Sequence, residues 1–325
     1  MQGQVGTPEL GPTETEDQCQ TGRSLYLQKR YKEADTMFRR ALQGQEKELG
    51  PNHTDTLISM YWLGRSLYQQ DRYKEAEAIF RRCLQGREKV LGHDHADTLS
   101  SANWLGDSLY HQGRNKDAEA LFRRCLQARQ KVLGDHPDTL ISMHWLGRSL
   151  YRQERRKEAE TMFRKALLGR EKVLGPNHTD SLNSSNWLGR SLYQQGRYKE
   201  AEAIFRRCLR GREKVLGHDH IDTLNSANWL GDSLYHQDRN KEAETLFRRC
   251  LQGREKVLGR GHTDTLNSAT WLGRSLYNQD RYKEAETMFR RAFHGREKVL
   301  GDDHEDTLYS RKWMDKAHLR ALRLK

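Results

Sequence analysis

The sequence predicts an all-α fold, a solenoid of seven 41–42-residue helical hairpins followed by a C-terminal capping helix. Three observations carry this expectation. Tryptophan recurs at Trp62, Trp104, Trp145, Trp187, Trp229, Trp271 and Trp313, 42 residues apart except for 41 between Trp104 and Trp145, and a fixed period of that length marks a repeat architecture. Glycine marks seven first helices, at Gly22, Gly64, Gly106, Gly147, Gly189, Gly231 and Gly273. Alanine marks seven second helices, at Ala34, Ala76, Ala118, Ala159, Ala201, Ala243 and Ala285, each twelve residues later.

Residues 1–14 are rich in Gly, Pro and Thr and are expected to be disordered. The repeat array is placed at 15–306. In its first helices, Ala102, Leu105, Gly106 and Leu109 fall on one narrow stripe that must face a core. Gln112-Gly113-Arg114, or Gln70-Asp71-Arg72 in another unit, supplies the Gly or Asp that ends one helix and opens the next. The second helix carries Ala118, Leu121, Phe122, Cys125, Leu126, Val132 and Leu133 at helical spacing. No hairpin can cover its own stripe, so neighbours must stack. Mid-helix glycines such as Gly86 and Gly211, replaced by Ala128 in the third unit, point to close helix approach, because each costs about 1 kcal/mol relative to Ala. Arg87 and its equivalents fall on the core side, within reach of the Asp in the following connection. In these connections His-x-Asp-Thr recurs, and Asp and Thr read as capping residues rather than metal ligands. An eighth first helix, residues 307–325, has no partner and reads as the polar cap of the last hairpin.

Net charge is +12, which favours anionic partners. The five cysteines form an odd set without a CxxC pair, and four share one repeat position, so reduced, packed thiols are expected in a cytoplasmic protein. No apolar run approaches a membrane span and no signal peptide opens the chain, so no membrane partner is expected. Reactive residues repeat at fixed positions, whereas an active site needs an irregular constellation. Neither enzymatic activity, nor a cofactor, nor a metal is expected.

Leu63-Gly64, Ala76, Phe80 and Cys83 resemble the tetratricopeptide repeat, and the resemblance extends along nearly the whole chain. The 42-residue period, the Arg-Glu-Lys-Val-Leu-Gly ending and the His-x-Asp-Thr-Leu connection are similar to the kinesin light chain variety. Comparable arrays form the C-terminal sensor part of fungal and bacterial nucleotide-binding signalling proteins. The resemblance implies a right-handed superhelix whose first helices line a concave groove. On the helical wheel the side opposite the core stripe carries Arg65, Asn103, Trp104, Asp107, Trp145, Arg148, Asn186, Trp187, Arg190, Asn228, Trp229, Asp232 and Arg274. Trp and Arg dominate binding hot spots, Asn can satisfy both groups of a peptide bond, and Arg forks a carboxylate. The tryptophans read equally well as packing between successive first helices.

A longer period lies above the first, since Asp107 and Asp232, like Cys83 and Cys208, stand 125 residues apart. A duplicated block of three hairpins accounts for it. The expected function is a non-catalytic scaffold that binds an acidic peptide or protein segment in its groove, as the sensor part of a larger signalling protein. The alternatives are a cargo adaptor of kinesin light chain type and, less favoured because Asp107 and Asp232 interrupt the arginine row, a solenoid that stacks single-stranded nucleic acid.

Overall fold

The computed structural model describes residues 14–134 and 136–323, apart from the Leu133 side chain. The tail expected to be disordered lies outside these residues, except for Glu14, which opens the first helix. Among the described residues there are fifteen α-helices and no strand. First helices are α1 (Glu14–Leu27), α3 (Thr54–Tyr68), α5 (Ala96–His111), α7 (Pro137–Arg152), α9 (Thr179–Tyr193), α11 (Ile221–Tyr235) and α13 (Thr263–Tyr277). Second helices are α2 (Tyr31–Glu48), α4 (Tyr73–Leu91), α6 (Asn115–Leu133), α8 (Arg156–Leu174), α10 (Tyr198–Leu216), α12 (Asn240–Leu258) and α14 (Tyr282–Leu300), and α15 (Glu305–Arg323) comes last.

The chain divides into two compact units, Met1–Glu154 and Arg155–Lys325. In the first, consecutive helices pack from α1 to α7, and the first helices α1, α3, α5 and α7 also touch in sequence. The second repeats this pattern from α8 to α15, with α9, α11 and α13 in mutual contact. Among the described residues, second helices do not pack on one another in this way, so each unit has a wall of close first helices backed by splayed second helices.

The core follows the expected stripes. Phe38, Phe80, Phe122, Phe163, Phe205, Phe247 and Phe289 are fully buried, one per second helix. Ala102, Leu105 and Leu109 are buried as well. Gly64 exists to admit a ring, because a Cβ there would stand 2.7 Å from Phe80 Cε1. One expectation fails. Val132 is 71% exposed, and Val90, Val173, Val215, Val257 and Val299 are exposed with it. Second helices after the first run 19 residues against the 15 or 16 of most first helices, a surplus of about 5 Å at 1.5 Å per residue. Their last turn therefore projects past the neighbours that cover the rest.

Helix ends are built as the sequence requires, with one change of residue. Gly113 adopts φ +78° and Asp71 φ +58°, and the Arg72 and Arg114 amides donate back to Leu67 and Leu109, closing the first helices in the left-handed C-terminal motif. At the first-helix N-termini the cap is His, not Asp or Thr. The His95 imidazole Nδ1 accepts the Asp97 amide at 3.2 Å, and His136, His178, His220 and His262 do the same. An imidazole acceptor is uncommon there, and so the sequence pattern pointed to its neighbours. Among the described residues no group of three or more His, Cys, Asp or Glu side chains could hold a metal, and no helix is long and apolar enough to cross a membrane.

Candidate functional site

The buried arginines of the second helices are clamps between repeats. Arg87 Nη1 donates to the Asp97 carbonyl at 2.7 Å and to Ser101 Oγ at 3.0 Å. Arg129, Arg170, Arg212, Arg254 and Arg296 make the same pair of bonds. The acceptor is the aspartate's main-chain oxygen, not its carboxylate. Cys83, Cys125, Cys208 and Cys250 are buried thiols that donate to leucine carbonyls of the preceding helix. Burial pushes the Cys125 and Cys250 thiols up to about 11, which removes nucleophilic thiolate near neutrality.

On the wall of first helices, each tryptophan is part of a stack. Trp104 lies nearly parallel to Phe80, with centroids 6.1 Å apart, and Trp229 and Trp271 pack likewise on Phe205 and Phe247. The preceding tyrosine meets the ring edge-on, Tyr68 against Trp104 at 5.1 Å and Tyr193 against Trp229 at 5.3 Å. The Trp104 indole N–H donates to Tyr61 Oη at 3.0 Å. Packing therefore accounts for much of each ring, yet every one remains only half-buried.

The arginine guanidinium carbons lie over these rings. Arg65 sits 4.4 Å from the Trp62 centroid and 5.1 Å from that of Trp104; Arg148 lies 4.0 Å over Trp145. In the second unit Arg190 lies 3.9 Å over Trp187 and 4.9 Å from Trp229, and Arg274 lies 4.3 Å over Trp271. Arg65 has no acidic partner among the described residues, and Arg274 acts on the buried Asp232, whereas arginines just before the second helices, such as Arg72, Arg114 and Arg197, are ion-paired. The aromatic rings thus hold the guanidinium groups in place by cation–π contact.

Four of the expected residues, Asn103, Trp104, Asp107 and Trp145, line one pocket of about 340 Å³ in the first unit. Tyr61 and Arg129 join them there. Tyr61 escapes the sequence reading because the equivalent position, 42 residues on, holds Asn103. The asparagines are less available than the wheel suggests. Asn103 accepts from Ser142 at 3.3 Å, and Asn228 accepts from Arg254 at 3.4 Å. Asn186 is buried, with an Oδ1 that has no hydrogen-bond partner among the described residues.

The two aspartates also depart from an open surface, being only 4% (Asp107) and 5% (Asp232) exposed. Asp107 hydrogen-bonds with Tyr68, and His111 Nε2 stands 3.6 Å from its Oδ1. His111 is stacked on Tyr73 at 4.7 Å. The second unit duplicates the arrangement with Asp232, Tyr193, His236 and Tyr198. Burial pushes both carboxyls up to about 7. It also pushes His111 and His236 down, helped by Arg148 and Arg274 respectively. The physical reason for the correction is length. An arginine at this position reaches past the ring, whereas an aspartate stops beneath the tyrosine and histidine.

A family model for the tetratricopeptide repeat matches residues 19–89, 57–103, 96–172, 142–214, 180–256 and 222–298. No curated protein matches the chain in sequence. Among solved structures, the kinesin light chain nearly identical TPR-like repeats of Podosopora anserina are 23% identical, with a TM-score of 0.55 over 64% of this chain and 97% of that one. BtubC (BKLC) from P. vanneervenii is 19% identical, with a TM-score of 0.61 over 70% of this chain and 92% of that one. A signal transduction ATPase with numerous domains and a tetratricopeptide repeat sensor, from Pyrococcus horikoshii, is 14% identical, with a TM-score of 0.63 over 93% of this chain and 45% of that one. At these identities the likeness is one of fold. The matches to the repeat model run without a break from residue 19 to residue 298, and the chain belongs to the tetratricopeptide repeat family.

Proposed function

We propose that this chain is a non-catalytic scaffold that holds an acidic peptide or protein segment against its first-helix wall, in the cytoplasm, as the sensor part of a signalling protein. Tetratricopeptide repeats typically serve as interaction modules rather than catalysts, and one structural neighbour, the Pyrococcus protein, carries such repeats as a sensor. The observation that carries the acidic preference is the set of ring-stacked arginines. Arg65 in one unit presents a ring-held guanidinium with no acid of its own among the described residues, and Arg274 in the other a ring-held guanidinium beside the buried Asp232; a fork of this kind pairs two-pronged with a carboxylate. Trp104 and Trp145 beside the 340 Å³ pocket supply apolar contact. A nucleic-acid ligand is disfavoured because a ring already stacked on phenylalanine and covered by a guanidinium is a poor platform for a base.

Fluorescence anisotropy with a labelled library of acidic peptides, at two salt concentrations, tests the reading in each unit separately. Binding should weaken with salt, and Arg65→Glu/Arg148→Glu or Arg190→Glu/Arg274→Glu should weaken it at least tenfold. Affinity that neither double variant changes would remove the arginines from the site. Tighter binding of single-stranded oligonucleotides than of any peptide would replace the ligand class.

A further inference from the structure

In the second unit a pocket of about 570 Å³ opens where the connection between α12 and α13 faces α14. Arg260, Gly261, Arg291, His294 and Lys298 line it. The preceding hairpin shows a version of this place in which the lysine is paired. Forty-two residues earlier stand His218, Asp219, Arg249, Gln252 and Lys256. There Lys256 Nζ bonds Asp219 Oδ2 at 2.5 Å, and the ammonium holds the Asp219 carboxyl below its usual range. Arg249 pairs with Glu213 at 2.5 Å and reaches the His218 carbonyl. Each base has an acid.

In the later pocket that balance is broken at two adjacent positions. Gly261 replaces the aspartate, and Lys298 consequently has no ion-pair partner among the described residues. Arg260 replaces the histidine and adds a second exposed cation without a partner. Arg291 keeps the equivalent acid, Glu255. His294 replaces a glutamine and lies on the rim, paired with Glu297 at 3.1 Å. Gly261 also clears the floor, for a Cβ built there would meet nothing within 4 Å. Two unmatched cations of different kinds thus face one opening, a planar fork and a point charge, which together suit an anion with several oxygens.

We propose that this pocket binds a doubly charged oxyanion of phosphate size, a phosphoryl group gripped by Arg260 and Lys298. The site is separate from the first-helix wall and does not depend on what binds there. Because the chain uses both dipeptides at the same connection, each can be exchanged for the other in a fold that already accepts it. Arg260→His/Gly261→Asp rebuilds the neutralised version, and circular dichroism checks that the helices survive.

Equilibrium dialysis of the full chain with labelled inorganic phosphate, in chloride at constant ionic strength, measures the free ion. Anisotropy with a phosphoserine peptide and its unphosphorylated counterpart measures the group on a chain. Wild type should bind phosphate saturably at one site, and the double variant should bind at least tenfold more weakly. A phosphopeptide tenfold tighter than phosphate identifies a phosphorylated chain as the source, and equal affinity identifies the free ion. Absence of saturable binding of both probes, or binding that the double variant leaves unchanged, overturns the proposal.

Discussion

A single repeat position carries arginine in five hairpins and aspartate in two, and the exchange decides whether the side chain lies over the aromatic rings or is buried beneath them. Asp107 is faced by Tyr68 and Tyr73 from α3 and α4, by His111 on its own helix and by Arg148 from α7. Burial favours its neutral form and pushes it up to about 7, from the ordinary 3.8. The folded chain therefore binds more protons than the unfolded one between those values. This carboxyl's contribution is fully present below about pH 4 and is lost as pH rises towards 7. His111, held low, acts in the opposite direction and loses stability as pH falls below 6.5. Asp107→Asn/Asp232→Asn isolates the carboxyls. Thermal melts should show the double variant gaining on wild type between pH 5 and pH 8, each kcal/mol appearing as about 2–4 °C in a chain of this size. An equal offset at both pH values would mean that the folded-state carboxyls do not titrate between them. The wheel placed these residues opposite the core stripe but could not reveal how deep they lie, because depth is set by side chains from neighbouring hairpins.

Elements give a sharper contrast, because two glycines in one hairpin are there for different reasons. Gly64 in α3 faces the rigid, fully buried ring of Phe80, at 2.7 Å from a Cβ. Gly86 in α4 faces the tip of Leu57, whose Cδ2 a Cβ there would overlap. A leucine tip can rotate away; a ring packed on all sides cannot. The third hairpin shows the outcome, since Ala128 occupies the second position in α6. Gly64→Ala should thus destabilise by about 1–3 kcal/mol. Gly86→Ala should be neutral or stabilising by up to about 1 kcal/mol from helix propensity. Urea titration of both variants checks the pair, and equal losses would show that the leucine is as fixed as the ring. Close approach at the mid-helix glycine was legible from period and propensity alone. The exposed valine row was not, because helical period continues past the point where the neighbouring helix stops. The histidine caps were missed for another reason: the side-chain acceptor is one that sequence patterns seldom place there.

For the whole molecule the repeat period is the dominant signal, and it made hairpin number, helix order and core legible, because every unit must solve the same burial problem with the same residues. What escaped is whatever makes one repeat differ from the next, such as Tyr61 at an asparagine position or Arg260-Gly261 in one connection, since a reading by consensus averages such differences away. The end of the array shows how stacking carries stability. Trp313 of α15 stacks on Phe289 at 5.5 Å, Arg296 donates to Ser310, and Ala317 and Ala321 are buried. We propose that α15 covers the last hairpin as each following first helix covers the one before. Removing residues 305–325 would then uncover Phe289, whose burial alone is worth about 1.5–3 kcal/mol. Because each repeat is held mainly by its neighbours, α13 and α14 should loosen first. A truncated chain should show a separate low-temperature transition in calorimetry and stronger binding of a hydrophobic dye, with Gly273→Ala enlarging both. A single transition at the wild-type temperature would show that the last hairpin stands without its cover.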